Sequence, residues 1–195
     1  MVVMASAIET EVKLAVGDPQ QAAKRLTEAG FHVSREREFE SNTIYDTADL
    51  QVRQKAMLLR LRQTGTRGIL TWKGPENPGP YKARPERETS VGSIDTMAEI
   101  LHHLGYQSVF KYEKYRTEFQ RPGEEGSAVL DETPIGNYLE LEGPGQWIDA
   151  VAAQLGFTSS DYILDSYGLL YQKWRDRKGV QPKDMVFSSS EYART

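Results

Sequence analysis

The feature of this sequence that most constrains its fold is a period-two alternation of side chains in many short segments. In the segment 8–14, Glu9, Glu11 and Lys13 alternate with apolar residues. Residues two apart in a strand share a face, so such a segment has one charged face and one apolar face. Gly, Pro, Asn and Asp residues separate the segments from one another. This pattern is typical of an antiparallel sheet.

The same split between faces recurs in the later segments. Their charged positions are Arg60, Arg62, Lys73, Arg84, Glu86, Glu88, Lys114, Arg116, Asp131, Glu140 and Glu142. A solvated outer face would explain any one of these strands. Like charges nevertheless stand together within single strands, and two carboxylates or two arginines on one face repel unless an opposite charge lies between them. The pattern therefore indicates a site for a cation and a site for an anion.

Closing this sheet into a barrel would bring the charged faces together. A barrel of about eight strands has an interior that side chains nearly fill or that holds one small ligand. Unpaired charges in a dry interior would cost several kcal/mol each, so we expect a hydrated lumen with internal ion pairs. Helix start and stop signals predict helices at 22–29, 96–104, 147–155 and 166–174. The last, with Tyr167, Leu170 and Tyr171 on one face, is predicted to plug one end of the barrel.

The length of 195 residues fits one domain with a substantial core. We expect this domain to span 1–179. The segment 180–195 contains three consecutive serines and is predicted to be a polar, frayed tail.

Composition excludes several classes of function. The net charge of −4 and the pI near 5.5 argue against a nucleic-acid partner. The absence of cysteine excludes disulfides and thiolate metal sites, and His32, His102 and His103 lack ligand spacing. The segment 1–7 has no basic residue, and no apolar run approaches the roughly 18 residues of a membrane helix, so we expect no signal peptide and no membrane partner. A cytoplasmic location is expected.

Seven motifs occur in a fixed order along the chain. They are ExExK at 9–13, NTIYDT at 42–47, LRLR at 59–62, TWKGP at 71–75, RPERE at 84–88, KxRxxF at 114–119 and LDETPIGNYLELEG at 130–143. Together they resemble the CYTH or triphosphate tunnel metalloenzyme family, which includes class IV adenylyl cyclases, thiamine triphosphatases and inorganic triphosphatases.

This resemblance implies an α+β fold, namely a closed eight-stranded antiparallel β-barrel that forms a triphosphate tunnel, with helices packed on the outside. It implies Mg²⁺ or Mn²⁺ as cofactor, which matches the preference of these hard cations for oxygen ligands. The implied metal ligands are Glu9, Glu11, Glu140 and Glu142. The implied triphosphate-binding residues are Lys13, Arg60, Arg62, Lys73, Lys114 and Arg116. The implied catalytic residues are Lys13, Asp131 and Glu88.

The expected activity is metal-dependent hydrolysis of a triphosphate-containing small molecule such as tripolyphosphate, ATP or thiamine triphosphate. A cyclase that converts ATP to cyclic AMP and diphosphate is the alternative within the family. A module that binds polyphosphate or nucleotide without turnover, and a barrel whose charges pair only internally, are alternatives from other classes. The sequence leaves the oligomeric state open, a homodimer included.

One position departs from the family pattern. Relatives often carry a tyrosine two residues before the aspartate of the NTIYDT motif, where it can assist the base, and this position is Ile44 here. The adjacent Tyr45 is expected to face the opposite way, because neighbouring residues of a strand alternate in direction. No tyrosine is therefore assigned as a general base.

Overall fold

The computed structural model describes residues 8–188, and its centre is a closed barrel. The strands are β1 (Ile8–Val16), β2 (His32–Thr47), β3 (Leu58–Thr64), β4 (Arg67–Lys73), β5 (Lys82–Val91), β6 (Tyr106–Gln120), β7 (Ser127–Thr133) and β8 (Gly136–Glu142). They close in the order β1-β5-β4-β3-β2-β6-β7-β8, and every neighbouring pair is antiparallel. The predicted eight-stranded antiparallel barrel is confirmed.

Helices pack around the barrel. They are α1 (Pro19–Glu28), α2 (Gln51–Gln54), α3 (Ile94–His103), α4 (Gly145–Gln154) and α5 (Tyr167–Lys178). The four predicted helices correspond to α1, α3, α4 and α5, with ends that differ by a few residues. The short α2 was not predicted, because it is one turn whose main stabilising contact comes from Asp46, which accepts hydrogen bonds from the backbone N–H groups of Val52 and Arg53 at 2.8 and 3.0 Å. Among the described helices none is long and apolar enough to span a membrane.

Two of the hydrophobic clusters lie outside the barrel, between its strands and the helices. Val12 and Leu14 of β1 and Leu141 of β8 are fully buried, and they belong to one cluster with Leu26 of α1 and Ile148 of α4. Fully burying such a side chain contributes about 1.5–3 kcal/mol. A second cluster lies beneath α3. The apolar faces of the strands therefore stabilise the fold by packing under helices, which leaves the charged faces to the lumen.

The charged face of the alternation is buried as well. Glu11, Lys13 and Lys114 are each no more than 5% exposed. This arrangement confirms the expectation that the charged faces line the interior. It also explains the recurrence of like charges, since these side chains meet opposite charges from other strands across the lumen.

The segment after α5 differs from the frayed tail that was expected. The backbone N–H of Met185 donates to the Lys111 carbonyl at 2.9 Å, and the Glu113 N–H donates to the Met185 carbonyl at the same distance. This contact is available because β7 pairs with β6 only from Tyr115 onwards, which leaves the preceding edge of β6 free. Met185 is fully buried there. The segment is therefore anchored to β6 at Met185, and the expectation for 189–195 lies outside the described residues.

Candidate active site

The barrel interior forms a cavity of about 1140 Å³. Small-molecule pockets measure about 300–1,000 Å³, so this lumen has room for a ligand. The cavity is lined by all the metal-binding, phosphate-binding and catalytic residues expected from the sequence except Asp131. Asp131 has no exposed surface and lies behind the cavity wall.

Three carboxylates gather at one place in the lumen. β1 pairs with β8 so that Glu11 lies opposite Glu142, and Glu9 shares the face of Glu11 two residues earlier. One oxygen from each of the three lies within 4.8 Å of the others. Burial, together with Glu140, Glu11 and Glu9, raises the pKa of Glu142 to about 8. Crowded oxygen ligands of this kind fit Mg²⁺ or Mn²⁺, which would relieve their repulsion.

Lys82 joins this carboxylate cluster, although sequence reasoning missed it. Its Nζ donates to the Glu11 carboxylate at 2.6 Å, and Lys13 Nζ donates to the same oxygen at 3.0 Å. Burial works against the charge of Glu11, but Lys13 and Lys82 outweigh it and hold the pKa of Glu11 below its usual range. The available signal was the alternation of β5, in which Lys82 occupies the same face as Arg84 and Glu86.

Glu140 lies apart from the three-carboxylate cluster. Its carboxylate is 3.1 Å from Lys13 Nζ and also pairs with the Arg116 guanidinium. Burial opposes its charge, yet Lys13 and Arg116 hold the pKa of Glu140 well below its usual range. The structure thus places Glu140 in ion pairs and Glu142 in the three-carboxylate cluster, whereas the family resemblance implied both as metal ligands, with Glu140 ranked after Glu9, Glu11 and Glu142.

Asp131 accepts hydrogen bonds from two of the expected phosphate-binding residues. Its Oδ2 accepts hydrogen bonds from Lys114 Nζ at 2.8 Å and from Arg116 Nη2 at 2.7 Å, and its Oδ1 accepts from Arg116 Nε at 2.7 Å. The Tyr167 hydroxyl donates to Oδ2 as well, at 2.7 Å. The bidentate pairing with Arg116 fixes the plane of the guanidinium. Asp131 is therefore placed to orient Lys114 and Arg116.

The two arginines of the LRLR motif meet Glu88 of β5. Arg60 Nη2 lies 3.3 Å from Glu88 Oε1, and Arg62 Nη2 lies 3.2 Å from the same oxygen. Glu88 also accepts from the Thr71 hydroxyl at 2.7 Å. Burial opposes the charge of Glu88, but the Thr71 hydrogen bond and the arginines lower its pKa. Tyr112 accepts from Arg60 Nη1 at 3.3 Å and is a second lumen residue that sequence reasoning missed.

Lys73 contacts acids of both β5 and the carboxylate cluster. Its ammonium group pairs with Glu9 and lies 3.2 Å from the Glu86 carboxylate. Burial and the proximity of Glu9 raise the pKa of Glu86 to about 7, against the opposing effect of Lys73. Lys73 therefore forms ion pairs with acids of two strands, β1 and β5.

The NTIYDT stretch contributes side chains to the cavity wall and to the packing around it. Asn42 has no exposed surface, and its amide atoms have no hydrogen-bond partner within residues 8–188. Ile44 lines the cavity, and Tyr45, which is also among the lining residues, packs on Leu61 and Leu101 beneath α3. Asp46 caps α2 through its backbone contacts. The position where relatives carry a tyrosine thus presents an apolar side chain.

An apolar mouth continues the same cavity beside α5. Its side chains include Ile44, Leu58, Phe110 and Leu169. Ile44 lies opposite Arg60 in the β2–β3 register and opposite Phe110 in the β2–β6 register. Directly opposed residues have Cβ atoms about 4.5–5.5 Å apart, so the apolar mouth begins one side chain away from the arginines.

The fold and the lumen together define a tunnel-shaped antiparallel barrel with paired acids and bases inside and helices outside. The CYTH domain family matches residues 7–157, which is more than half of the chain. The chain belongs to the CYTH domain family.

Three proteins similar to this chain are each called a "putative" adenylate or adenylyl cyclase, and the two with solved structures share its fold. A protein of Methanocaldococcus jannaschii, MJ0240, is 27% identical over 135 residues, covering 69% of this chain and 76% of its own. An X-ray structure from Vibrio parahaemolyticus has a TM-score of 0.75 at 21% identity and covers 86% of this chain and 99% of its own. HpAC1 from Hippeastrum, described as having a dominant triphosphatase activity, has a TM-score of 0.61 at 14% identity, covering 90% and 97%.

Proposed function

We propose that this chain is a divalent-metal-dependent enzyme that hydrolyses tripolyphosphate or an organic triphosphate inside the barrel. The observation that carries the proposal is the meeting of a three-carboxylate cluster and a wall of bases in one cavity. A module that only bound anions would need the bases but not the crowded carboxylates. Membership of the CYTH family supports an enzyme that acts on a triphosphate.

The proposed metal ligands are Glu9, Glu11 and Glu142. When bound, Mg²⁺ or Mn²⁺ would neutralise charge on the phosphate oxygens. Glu140 belongs instead to the protein's own ion pairs, because Lys13 and Arg116 occupy its oxygens. We assign it the role of orienting those two bases.

The proposed phosphate-binding side chains come from four strands of the barrel. They are Arg60 and Arg62 of β3, Lys73 of β4, Lys114 and Arg116 of β6, and Lys13 of β1. Arginine forks would bind phosphate oxygens in pairs, and the lysines would act as point charges. An arriving triphosphate would compete with Glu88 for the arginines, so we propose that Glu88 keeps them in place before substrate binds.

In the proposed reaction a water oxygen bonds to the terminal phosphorus, and the bond from that phosphorus to its bridging oxygen breaks. The electron pair stays on the leaving diphosphate or nucleoside diphosphate, and the water protons pass to solvent and product oxygens. Positioning and neutralisation of charge account for most catalysis of this kind. Lys13, Lys114 and Arg116 would neutralise charge that develops on the phosphate oxygens. All oxygens of Asp131 are engaged by donors, so we propose that it positions these bases rather than acting as a general base.

Cyclisation of ATP is the second candidate. The apolar mouth at Ile44, Phe110 and Leu169 favours it, since an organic group joined to a bound triphosphate could lie there. In that reaction the ribose 3′-oxygen would bond to the α-phosphorus and diphosphate would leave. The two candidates differ in their products.

The test is a product assay with purified protein and Mg²⁺ or Mn²⁺, run separately on tripolyphosphate, ATP and thiamine triphosphate. Glu142→Gln is the informative variant, because a carboxyl group with a pKa of about 8 is protonated at pH 7 and the amide closely resembles it. Folding should therefore change little while metal binding is lost. Glu28→Gln on the exposed face of α1 is the matched control.

We expect metal-dependent phosphate release that Glu142→Gln abolishes and Glu28→Gln leaves unchanged. Cyclic AMP with diphosphate would establish the cyclase instead. Binding without turnover of any of the three would contradict both reactions and favour a sequestering module.

A further inference from the structure

Tyr167 reaches the lumen from outside the region that matches the CYTH family. It is the first residue of α5, and the Ser166 hydroxyl caps this helix by accepting from the Leu169 N–H at 3.3 Å. Tyr167 is 7% exposed and lines the cavity. Lys13 Nζ and Lys114 Nζ each lie 5.3 Å from the centre of its ring. The ring therefore lies close to two bases of the proposed phosphate site.

The hydroxyl group of Tyr167 belongs to the third side chain that donates a hydrogen bond to Asp131, after Lys114 and Arg116. It donates to Asp131 Oδ2 at 2.7 Å, the same oxygen that accepts from Lys114 and from Arg116. Burial, and then the charge of Asp131, raise the pKa of Tyr167 well above its usual range. The phenol therefore remains a donor at neutral pH. A hydrogen bond to a charged acceptor is stronger than one between neutral groups.

The surrounding structure holds α5 on both sides. Before the helix, Ile163 pairs with Lys13 of β1 through backbone hydrogen bonds of 2.8 and 3.1 Å. After it, the segment containing Met185 pairs with β6. The Tyr171 hydroxyl joins the helix to this segment by donating to the Asp184 carbonyl at 2.8 Å. A side chain on a helix fixed at both ends can hold its partners in a defined geometry.

We propose that Tyr167 is a positioning residue for the phosphate-binding bases, an inference that rests on the proposed function. By donating to Asp131, it keeps that carboxylate in the rotamer that orients Lys114 and Arg116 toward the lumen. Its ring contacts Tyr112 and Tyr138 at centroid distances of 5.9 and 5.7 Å.

The test compares Tyr167→Phe with Tyr171→Phe, two changes that each remove one hydroxyl group from α5. Three quantities are measured for the full-length chain: the Kd of tripolyphosphate without metal, the KM and kcat of its hydrolysis with Mn²⁺, and the Tm. For Tyr167→Phe we expect Kd and KM to rise about tenfold, because the bases lose a charge-assisted constraint, and kcat to fall as well, because Lys114 and Arg116 also neutralise charge that develops during the reaction. For Tyr171→Phe we expect a lower Tm and unchanged Kd and KM.

The positioning role is overturned if Kd and KM of Tyr167→Phe stay within about twofold of the unmodified chain. It is also overturned if Tyr171→Phe raises them equally, since the effect would then come from loosening the helix. Binding without turnover would refute the proposed hydrolysis, and the Kd comparison would still decide the role of Tyr167. No binding to the unmodified chain would overturn the proposed function and this inference together.

Discussion

Replacing Asp131 by Asn tests whether the buried ion pairs of Lys114 and Arg116 stabilise the fold. Asp131 has no exposed surface and faces two cations, Lys114 and Arg116. The amide has nearly the same volume, so the change removes the charge without opening a cavity. Removing one partner of a buried ion pair costs about 3–5 kcal/mol, because the remaining charge is left uncompensated.

The remaining acids determine where in this range the effect falls. In the variant, Lys114 would still lie 3.6 Å from the Glu40 carboxylate, and Arg116 would still pair with Glu140. We therefore expect the lower limit, a loss of about 3 kcal/mol in the free energy of unfolding. For a chain of this size each kcal/mol lowers Tm by about 2–4 °C, so Tm should fall by about 6–12 °C.

The assay is thermal unfolding at pH 7 with and without tripolyphosphate. Glu132→Gln is the matched control, because Glu132 is the next residue of β7 and forms an exposed pair with Arg37 at 2.7 Å. Exposed pairs contribute at most about 1 kcal/mol. Tripolyphosphate should restore part of the stability of Asp131→Asn by supplying negative charge to the same bases. Equal Tm values for the two variants would refute the reasoning.

Two further predictions concern the carboxylate cluster and the segment after α5. The folded chain retains a proton on Glu142 between its ordinary pKa of 4.5 and about 8, so without metal the stability should fall as pH rises through this window. A cation must displace that proton, and Mn²⁺ affinity measured by calorimetry should therefore rise about tenfold per pH unit up to about pH 8. Met185→Ala should cost about 2–5 kcal/mol in the free energy of unfolding by denaturant, because the side chain is fully buried.

Each of these predictions has a control in the same chain. Glu142→Gln should remove the rise of Mn²⁺ affinity with pH, and a rise that persisted would assign the proton to another group. Val186→Ala changes the neighbouring residue, which is 39% exposed, and should have a much smaller effect than Met185→Ala. Equal effects of the two substitutions would mean that the segment contributes no specific packing.

Much of the lumen could be predicted from local pattern. Glu9, Glu11 and Lys13 share a face because side chains alternate along a strand, and this holds whatever the strand pairs with. The same rule placed Arg60 with Arg62, and Lys114 with Arg116. Lys82 obeyed it too but was missed, because it lies at the start of β5, next to the connecting loop.

The partners of these charges could not be predicted in the same way. Glu140 and Glu142 share a face and looked alike in sequence, but the β1–β8 register places Glu140 opposite Lys13 and Glu142 opposite Glu11. One acid therefore enters an ion pair, and the other joins the carboxylate cluster with a raised pKa. Register and barrel closure are collective properties of strands far apart in the chain, and no local pattern encodes them.

The sequence alone determined which side chains face the lumen and which pack outward, because the period of a strand is a local property of the backbone. Only the tertiary structure decided that Tyr167 reaches Asp131 and that Met185 completes the free edge of β6. Those contacts depend on where strands end relative to their neighbours, and thus on the closed barrel as a whole.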